Sequence, residues 1–331
     1  IIACASVAIS ILVMFIAIAI SDGFKREIKD IISGFSAEVV LYPPGAGVTN
    51  ELYKLSGKPS YLDELQNMKG VESVSGVVYK SGMLRSEESV QGVFFKGVDS
   101  TYNLRFYEKN LVEGRLPDFS TRRASNDILI SKRLANLMEY KCGDEIFAYF
   151  VDEGVRVRKF TVCGLYDVRL EDMDKTMTIV DIRQTRGLNR WQPDMVSSME
   201  VTLIPGADPG RVVGNIDQLL MKEPQKDDSV IVNNIRNLYP HIFDWLDLLD
   251  LNVLIILTLM IVVAGFNMIS GLLIILFEKI SMIGLLKALG MKTKDICKVF
   301  IYRGAFIVLK GMAIGNLIAI AVVILQGFLH I

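Results

Sequence analysis

Histidine and cysteine are the residue types whose chemistry is easiest to recognise from sequence, and both are scarce here. The two histidines, His241 and His330, lie far apart and each stands beside apolar residues. A zinc site or a His-assisted nucleophile needs imidazoles that converge with other reactive side chains. The sequence therefore predicts no His-based metal cluster or triad, and we interpret both histidines as packing or interfacial residues.

Two of the four cysteines, Cys142 and Cys163, fall in one polar segment and leave two alternatives open. In an oxidising compartment they could form a disulfide. Because a disulfide requires a specific separation of its two Cα atoms, positions in neighbouring strands do not guarantee the bond. The favoured interpretation is a pair of ordinary buried thiols.

The stretch GLLKALGMKT (residues 284–293) has the residue types of a phosphate-binding loop without their spacing. Its two glycines, Gly284 and Gly290, are six positions apart, which is too far for that loop, and Met291 intervenes before Lys292. A phosphate-binding loop also follows a strand, whereas this stretch follows a long apolar segment. We predict that the chain binds no ATP and is not an enzyme, so that any energy comes from another subunit.

Hydropathy defines the elements that position these residues. Hydrophobic residues make up 51% of the chain and the mean hydropathy is +0.38, which is too apolar for an ordinary soluble protein. With 36 basic against 37 acidic residues, no global charge points to nucleic acid. Apolar runs at 1–20, 251–277 and 299–331 are long enough to cross roughly 30 Å of hydrocarbon. The first exceeds the core of a secretory signal, and we interpret it as a spanning helix that ends near Asp22.

Charge beside the second apolar run predicts the orientation. The loop that follows it is rich in basic residues, and short basic loops stay in the cytoplasm. The preceding flank is acidic, with Asp244, Asp247 and Asp250 and no Lys or Arg near them in the sequence. The region before it is therefore expected outside the cytoplasm. Three spans leave an odd number, and we expect a truncated fourth span and residues missing at both ends.

The sequence of the outer region, residues 22–238, predicts a mixture of α-helices and β-strands. Strand candidates lie at 38–42, 71–79, 90–98, 145–151, 155–165, 176–180, 199–204 and 229–232. Helix candidates lie at 60–68, 131–138 and 209–221. The predicted fold class is an α-helical membrane protein with a large mixed α/β extracytoplasmic domain between its first and second transmembrane helices. Its predicted parts are a transmembrane helix (1–21), the extracytoplasmic domain (22–238), an outer helical extension with the second transmembrane helix (239–277), a cytoplasmic helix and loop (278–298) and the third transmembrane helix (299–331).

A helical pattern precedes the second span. Its three aspartates form a polar stripe opposite apolar residues, so the span is expected to continue outward as one helix that joins the outer domain to the membrane. The predicted residues of this extension are Pro240, Phe243, Trp245, Leu248 and Leu249.

The segment just inside the membrane is the most informative one. Ile280, Ile283, Leu286 and Leu289 recur at helical spacing and predict a short amphipathic helix. Such a helix either rests on lipid headgroups or docks in a groove of a partner protein, and the residues alone leave both open. The candidate residues are Glu278, Lys279, Ile280, Met282, Ile283, Gly284, Leu285, Leu286, Lys287, Ala288, Leu289 and Gly290.

Small and polar residues within the spans predict helix packing. Gly304, Gly311 and Gly315 share one face of the third span, and the last two form a small-xxx-small pair. Asn267, in the middle of the second span, is able to hydrogen-bond to another helix. Lys310 points away from the glycines and is expected to snorkel toward the boundary.

Residues 263–300 resemble the FtsX-like permease family. The shared features are the pair Glu278–Lys279 and the segment IGLLKALG (residues 283–290) after the second span. The AGFN element at 264–267 is similar to that of permeases of lipoprotein-releasing ABC transporters. The outer region resembles the MacB-type periplasmic core domain of the same family, through LVEGRLP (111–117), ILISKRLANL (128–137), GDEI (143–146) and FTVCGL (160–165).

This resemblance implies a permease subunit of the bacterial inner membrane with a large periplasmic domain. Residues 278–290 would then be the coupling segment that contacts a separate ABC ATPase, which binds ATP and Mg²⁺. The implied partners are that ATPase, a second permease copy, membrane lipid, a lipoprotein substrate and a periplasmic carrier, with no nucleic acid. Efflux of peptides or small molecules and regulation of a cell-wall hydrolase stay open as alternatives. The charged loop RLEDMDK (169–175) is either a partner contact or simply solvated.

Overall fold

The computed structural model describes residues 2–47, 49–86, 89–222 and 229–329. The chain divides into two compact units: Ile1–Ile28 with His241–Ile331 form one, and Lys29–Pro240 form the other. His330, which we interpret as a packing or interfacial residue, lies outside the described residues.

Eleven helices and twelve strands are present within the described residues. The helices are α1 (Ile2–Ser36), α2 (Leu62–Gln66), α3 (Arg105–Lys109), α4 (Lys132–Met138), α5 (Glu171–Asp174), α6 (Ile182–Asn189), α7 (Pro209–Lys222), α8 (Ile235–Leu238), α9 (Pro240–Glu278), α10 (Ile280–Ala288) and α11 (Thr293–Leu329). The strands are β1 (Val39–Tyr42), β2 (Leu55–Ser56), β3 (Val71–Arg85), β4 (Val90–Val98), β5 (Leu111–Gly114), β6 (Asp127–Ser131), β7 (Glu145–Val151), β8 (Val155–Tyr166), β9 (Met177–Asp181), β10 (Met195–Val196), β11 (Ser198–Leu203) and β12 (Ile231–Asn234).

Three helices of the described chain are long and apolar enough to cross a membrane. They are the segments Cys4–Ser36, Pro240–Glu278 and Thr293–Leu325. The second segment contains the apolar run 251–277, and the first and third overlap most of the runs 1–20 and 299–331. The extra length of each comes from polar or amphipathic residues that continue the helix beyond the apolar run.

The first helix does not end near Asp22, where the sequence analysis places its end. It continues to Ser36, because the residues after Asp22 keep a helical repeat of apolar side chains. Ile31, Ile32 and Phe35 from this repeat are buried. Charged residues between them mask the continuation in a hydropathy profile, although they do not interrupt a helix.

The second unit is built on a mixed sheet. Ten strands of the described chain form it, in the order β12-β1-β11-β3-β4-β9-β6-β8-β5, and β7 pairs with β3 and β8. Most pairs are antiparallel, but β4 and β9 are parallel, as are β6 and β8. Buried side chains form three apolar clusters against this sheet. The unit therefore has a core of its own.

The two cysteines of this unit are free thiols. The sulfur of Cys142 lies 3.4 Å from the carbonyl oxygen of Cys163. Cys163 is buried, and burial raises the pKa of its thiol to about 12. The sequence left open a disulfide or two separate thiols for Cys142 and Cys163, and in the structure they are two separate thiols.

Candidate coupling site

Helix α9 ends at Glu278, and a one-residue break at Lys279, rather than a loop, separates it from α10. The amide of Lys279 donates to the carbonyl oxygens of Ile275 and Leu276, and its own carbonyl accepts from the amide of Ile283. The break thus joins α9 to α10 through one non-helical residue. The ammonium of Lys279 lies 3.4 Å from the carboxylate of Glu278. No multi-residue loop therefore separates α9 from α10.

The end of α10 is fixed by Gly290. This glycine has φ +88°, in the left-handed region that suits glycine. The amide of Met291 donates to the carbonyl of Leu286 and the amide of Gly290 donates to the carbonyl of Lys287. These two bonds make a Schellman motif, which satisfies the last carbonyls of a helix. The chain then re-enters a helix at Thr293, six residues earlier than the predicted third span.

The surface of α10 exposes apolar side chains both on the predicted stripe and beside it. Ile283 and Leu286 are half-buried, whereas Ile280 and Leu289 are exposed. Leu285 and Met282, outside the stripe, are exposed as well, and the exposed fraction of Leu285 is 62%. The helix therefore presents apolar side chains over a broad arc, with Gly284 and Ala288 on its small-residue side. Such an exposed apolar surface is suited to docking.

The predicted packing glycines lie against two different helices. A methyl group added at Gly311 would come within 2.9 Å of the Cys4 carbonyl, and one added at Gly315 within 2.7 Å of the Ala8 carbonyl, so both face α1. Gly304 faces Leu272 of α9 instead. Close backbone contact of this kind requires glycine.

Polar residues within the apolar helices occupy two different surroundings. The side-chain amide of Asn267 on α9 donates to the hydroxyl of Ser6 on α1 at 2.8 Å. The ammonium of Lys310 is exposed and stacks over the ring of Phe306, 4.6 Å from its centroid. Asn267 therefore joins two helices, whereas Lys310 contacts its own helix.

The outer part of α9 also contacts α1. The ammonium of Lys25 pairs with the carboxylate of Asp250, and the ring of Phe24 meets the ring of Trp245 edge-on at 5.7 Å. Asp250 has no basic residue near it in the sequence, since its partner Lys25 lies 225 positions away and is brought close only by the fold. Together with the pair of Asn267 and Ser6, these contacts set one antiparallel register for the two helices.

Burial along this extension follows a different set of residues from the predicted one. Phe243 and Leu246 are buried and Leu249 is half-buried. Trp245 and Leu248, which the sequence assigns to the apolar face, are exposed. Pro240 is the first residue of the helix, where a missing amide hydrogen is tolerated. Leu246 lies between the predicted apolar residues Trp245 and Leu248 and was not among the residues predicted for this face.

Two protein-family models cover most of the chain. The MacB-like periplasmic core domain matches residues 1–219, and the FtsX-like permease C-terminal domain matches residues 254–330. The chain belongs to the MacB-like and FtsX-like permease family. It is therefore a permease of the ABC transporter type, and the second match contains the break at Lys279, α10 and the Gly290 motif.

Two relatives of this permease align over most of its length. The lipoprotein-releasing system transmembrane protein LolC of Neisseria meningitidis is 24% identical over 91% of this chain and 71% of that protein. The lipoprotein-releasing system transmembrane protein LolE of Haemophilus influenzae is 22% identical over 95% of this chain and 74% of that protein.

Two solved domains are also similar to parts of the permease. The extracellular domain of the noncanonic ABC-type transporter YknZ from Gram-positive bacteria has 16% identity and a TM-score of 0.41, covering 60% of this chain and 98% of that one. The periplasmic region of MacB from Actinobacillus actinomycetemcomitans has 14% identity and a TM-score of 0.44, covering 64% and 95%.

The described part of the permease holds no group of three or more His, Cys, Asp or Glu side chains arranged to bind a metal ion. His241 is exposed in the first turn of α9.

Loop 169–175 contains the short helix α5, whose last residue, Asp174, is buried. Burial, with a contribution from the charge of Asp167, raises the pKa of Asp174 to about 6. This loop is therefore partly anchored rather than wholly solvated.

A buried ion pair of the core domain is the feature that sequence reasoning missed. Lys96 on β4 and Glu200 on β11 lie 2.8 Å apart and are 0% and 1% exposed. Burial lowers the pKa of Lys96, whereas the charge of Glu200 and their hydrogen bond raise it. No local pattern signals this pair, because its members lie 104 positions apart.

Proposed function

We propose that this permease is the membrane subunit of an ABC transporter that extracts lipoproteins from a bacterial inner membrane for transfer to the outer membrane. Its three long apolar helices would span the bilayer, with the basic segment after α9 in the cytoplasm and the core domain in the periplasm. The names of the lipoprotein-releasing relatives LolC and LolE, which align over more than nine-tenths of the chain, support lipoprotein as the substrate class.

The observation that carries the coupling role is the shape of α10. It is a short apolar helix, joined to α9 through the single residue Lys279 and ended by the Gly290 motif. Exposed Leu285 and Leu289 give it a surface that a groove of a cytoplasmic ATPase would bury. That ATPase, present in two copies with a second permease, binds ATP and Mg²⁺, and its closure displaces α10.

Displacement of α10 moves α9, because one residue separates the two helices. The helix α9 runs without interruption from Glu278 to Pro240, where the core domain begins. Movement of the core domain then detaches the lipoprotein and passes it to a periplasmic carrier. The chemistry of ATP hydrolysis belongs to the ATPase, and the permease contributes docking, transmission and substrate contact.

Reconstitution in proteoliposomes tests this proposal. The permease is combined with its partner ATPase, a triacylated lipoprotein and the soluble carrier, and released lipoprotein is measured per ATP hydrolysed. Leu285→Asp is expected to abolish ATPase binding and release, because it places a charge on the docking surface. The matched control is Met221→Asp, which makes the same change at an exposed site on α7.

Two results would contradict the proposal. Retained ATPase binding and release by Leu285→Asp would remove α10 from the docking role. ATP hydrolysis without lipoprotein release by the wild-type complex would favour another activity of this family, namely export of peptides or small molecules or activation of a cell-wall hydrolase.

A further inference from the structure

The ion pair of Lys96 and Glu200 is fully hydrogen-bonded inside the core domain. One carboxylate oxygen of Glu200 accepts from the hydroxyl of Tyr79 at 3.0 Å. The other accepts from the hydroxyl of Tyr102 at 2.9 Å and from the ammonium of Lys96. Lys96 also donates to the oxygen of Tyr102 at 2.7 Å. A buried ion pair is weak evidence for stability but is able to specify one arrangement of its neighbours.

Lys96 has one further acceptor, which shows which neighbouring element the ion pair positions. The ammonium donates to the carbonyl oxygen of Phe35, in the last turn of α1, at 2.5 Å. The last carbonyls of a helix have no partner within the helix, and a cation at this end is favoured by the helix dipole. Lys96 therefore ties the end of α1 to β4 and, through Glu200, to β11.

Aromatic packing holds the same turn of α1. The ring of Phe35 makes edge-on contacts with Phe106, Tyr107 and Tyr166 at centroid distances of 5.5 to 6.2 Å. At Gly34 an added methyl group would come within 2.1 Å of the Phe106 ring, so the helix backbone lies against that side chain. The end of α1 is thus enclosed on the side of α3 as well as bonded on the side of the sheet.

The residues that lead into α9 lie near the same site. The strand β1 begins three residues after α1 ends and pairs with β12, which leads through α8 to α9. The amide of Ile235 on α8 donates to the carbonyl of Glu38 at 2.9 Å. Burial raises the pKa of Tyr239, just before α9, and the nearby charge of Glu200 adds to the rise.

We infer that Lys96 and Glu200 are positioning residues for energy coupling, which fix the end of α1 so that its displacement is passed to the sheet of the core domain. This inference rests on the proposed function. It makes α1 a second transmitting helix beside α9, joined to the domain by a bonded and enclosed end.

The variant that tests this role is Lys96→Met/Glu200→Gln. Removing both charges avoids a lone buried charge, which would unfold the domain for unrelated reasons. Glutamine retains an acceptor for the tyrosines, whereas methionine leaves the Phe35 carbonyl without its donor. The matched control is Lys80→Met/Glu51→Gln, which removes a second ion pair of the same domain, with 3.1 Å between its charged groups. Within the described residues, the hydrogen bonds and ion pairs of these two side chains join them to each other, to Ser81 and to Asp152, and Asp152 keeps Arg156 as a second partner.

Two measurements on the reconstituted wild-type and variant complexes decide the matter. The amides of residues 29–36 are expected to exchange hydrogen faster in the Lys96 variant and at the wild-type rate in the control. Lipoprotein released per ATP is expected to fall about tenfold in the Lys96 variant while its ATPase rate persists. If the double variant fails to fold, Tyr102→Phe gives a milder loss of the same network, with the same direction expected in both measurements.

Unchanged exchange in residues 29–36, or release per ATP equal to wild type in a folded variant, would overturn the inference. An equal loss in the Lys80 control would also overturn it, because the effect would then follow from any lost ion pair. Absence of ATP-dependent release by the wild-type complex contradicts the proposed function instead, and the exchange result then still decides whether the pair anchors α1.

Discussion

Lys25 on α1 and Asp250 on α9 form an ion pair that joins two helices at the edge of their apolar segments. Beside it, the edge-on contact of Phe24 and Trp245 adds an apolar component. A continuous helix can transmit a displacement alone, but two helices that share a register resist sliding past each other. In the proposed mechanism, the pair would serve transmission by helping to fix the register of α1 and α9.

A double-mutant cycle on Lys25→Ala and Asp250→Ala measures this pair. Because Asp250 is more than half exposed, the expected coupling energy is about 0.2–1 kcal/mol at low salt. It should shrink as salt is raised, since exposed charges are screened. The measurement is reversible unfolding of the detergent-solubilised protein. A coupling energy that does not change with salt would contradict an exposed electrostatic contact.

Gly290→Ala is expected to fray the end of α10. Alanine at φ +88° costs about 1–2 kcal/mol, so the two bonds of the Schellman motif should open more often. Hydrogen exchange at the backbone amides of positions 290 and 291 reports this directly. The control is Gly284→Ala, within α10 and in open space, which should stabilise the helix by up to about 1 kcal/mol. Equal exchange in both variants would exclude a special role for Gly290.

Much of this architecture follows from local patterns. The strands at 90–98 and 145–151 have the predicted bounds, because their apolar residues alternate or cluster over a strand length. By contrast, β6 was missed, since a strand buried on both faces shows no alternation. Its ILI run at 128–130 directly precedes the helix predicted at 131–138 and was assigned to neither a strand nor that helix.

In the candidate site, too, some residues were predictable from the sequence and others were not. The segment 278–290 is recognisable because its residues are contiguous. The pairs Lys25 with Asp250 and Lys96 with Glu200 join residues more than a hundred positions apart. Such pairs depend on strand order and helix register, which no single-sequence periodicity encodes.

Cysteine labelling tests the burial of Cys163. With its pKa raised to about 12 by burial, the thiol has almost no reactive thiolate at pH 8. A maleimide should therefore modify Cys297, which is exposed on α11, and leave Cys163 unmodified until the protein is unfolded. Mass spectrometry of the digested protein distinguishes the two sites. Rapid labelling of Cys163 in the folded protein would contradict its placement in the core.

Asp174 predicts a pH-dependent stability of the core domain. Its pKa is raised from 3.8 to about 6, first by burial and then by the charge of Asp167, with Arg133 opposing the rise. A carboxyl group whose folded pKa is raised stabilises the fold below its unfolded pKa. That contribution is lost as the pH rises through the folded value. Wild type should therefore lose on the order of 1–3 kcal/mol from this group between pH 4 and pH 7.

Asp174→Asn isolates this contribution, because asparagine has nearly the same shape and does not ionise. The variant should match wild type near pH 4 and exceed its free energy of unfolding near pH 7.5. Urea unfolding at a series of pH values measures both proteins. The control is Asp118→Asn, an exposed aspartate whose pKa is lowered by hydrogen bonds from Ser120; it should lose stability at neutral pH. A wild-type and Asp174→Asn difference that is constant with pH would show that Asp174 does not titrate in this range.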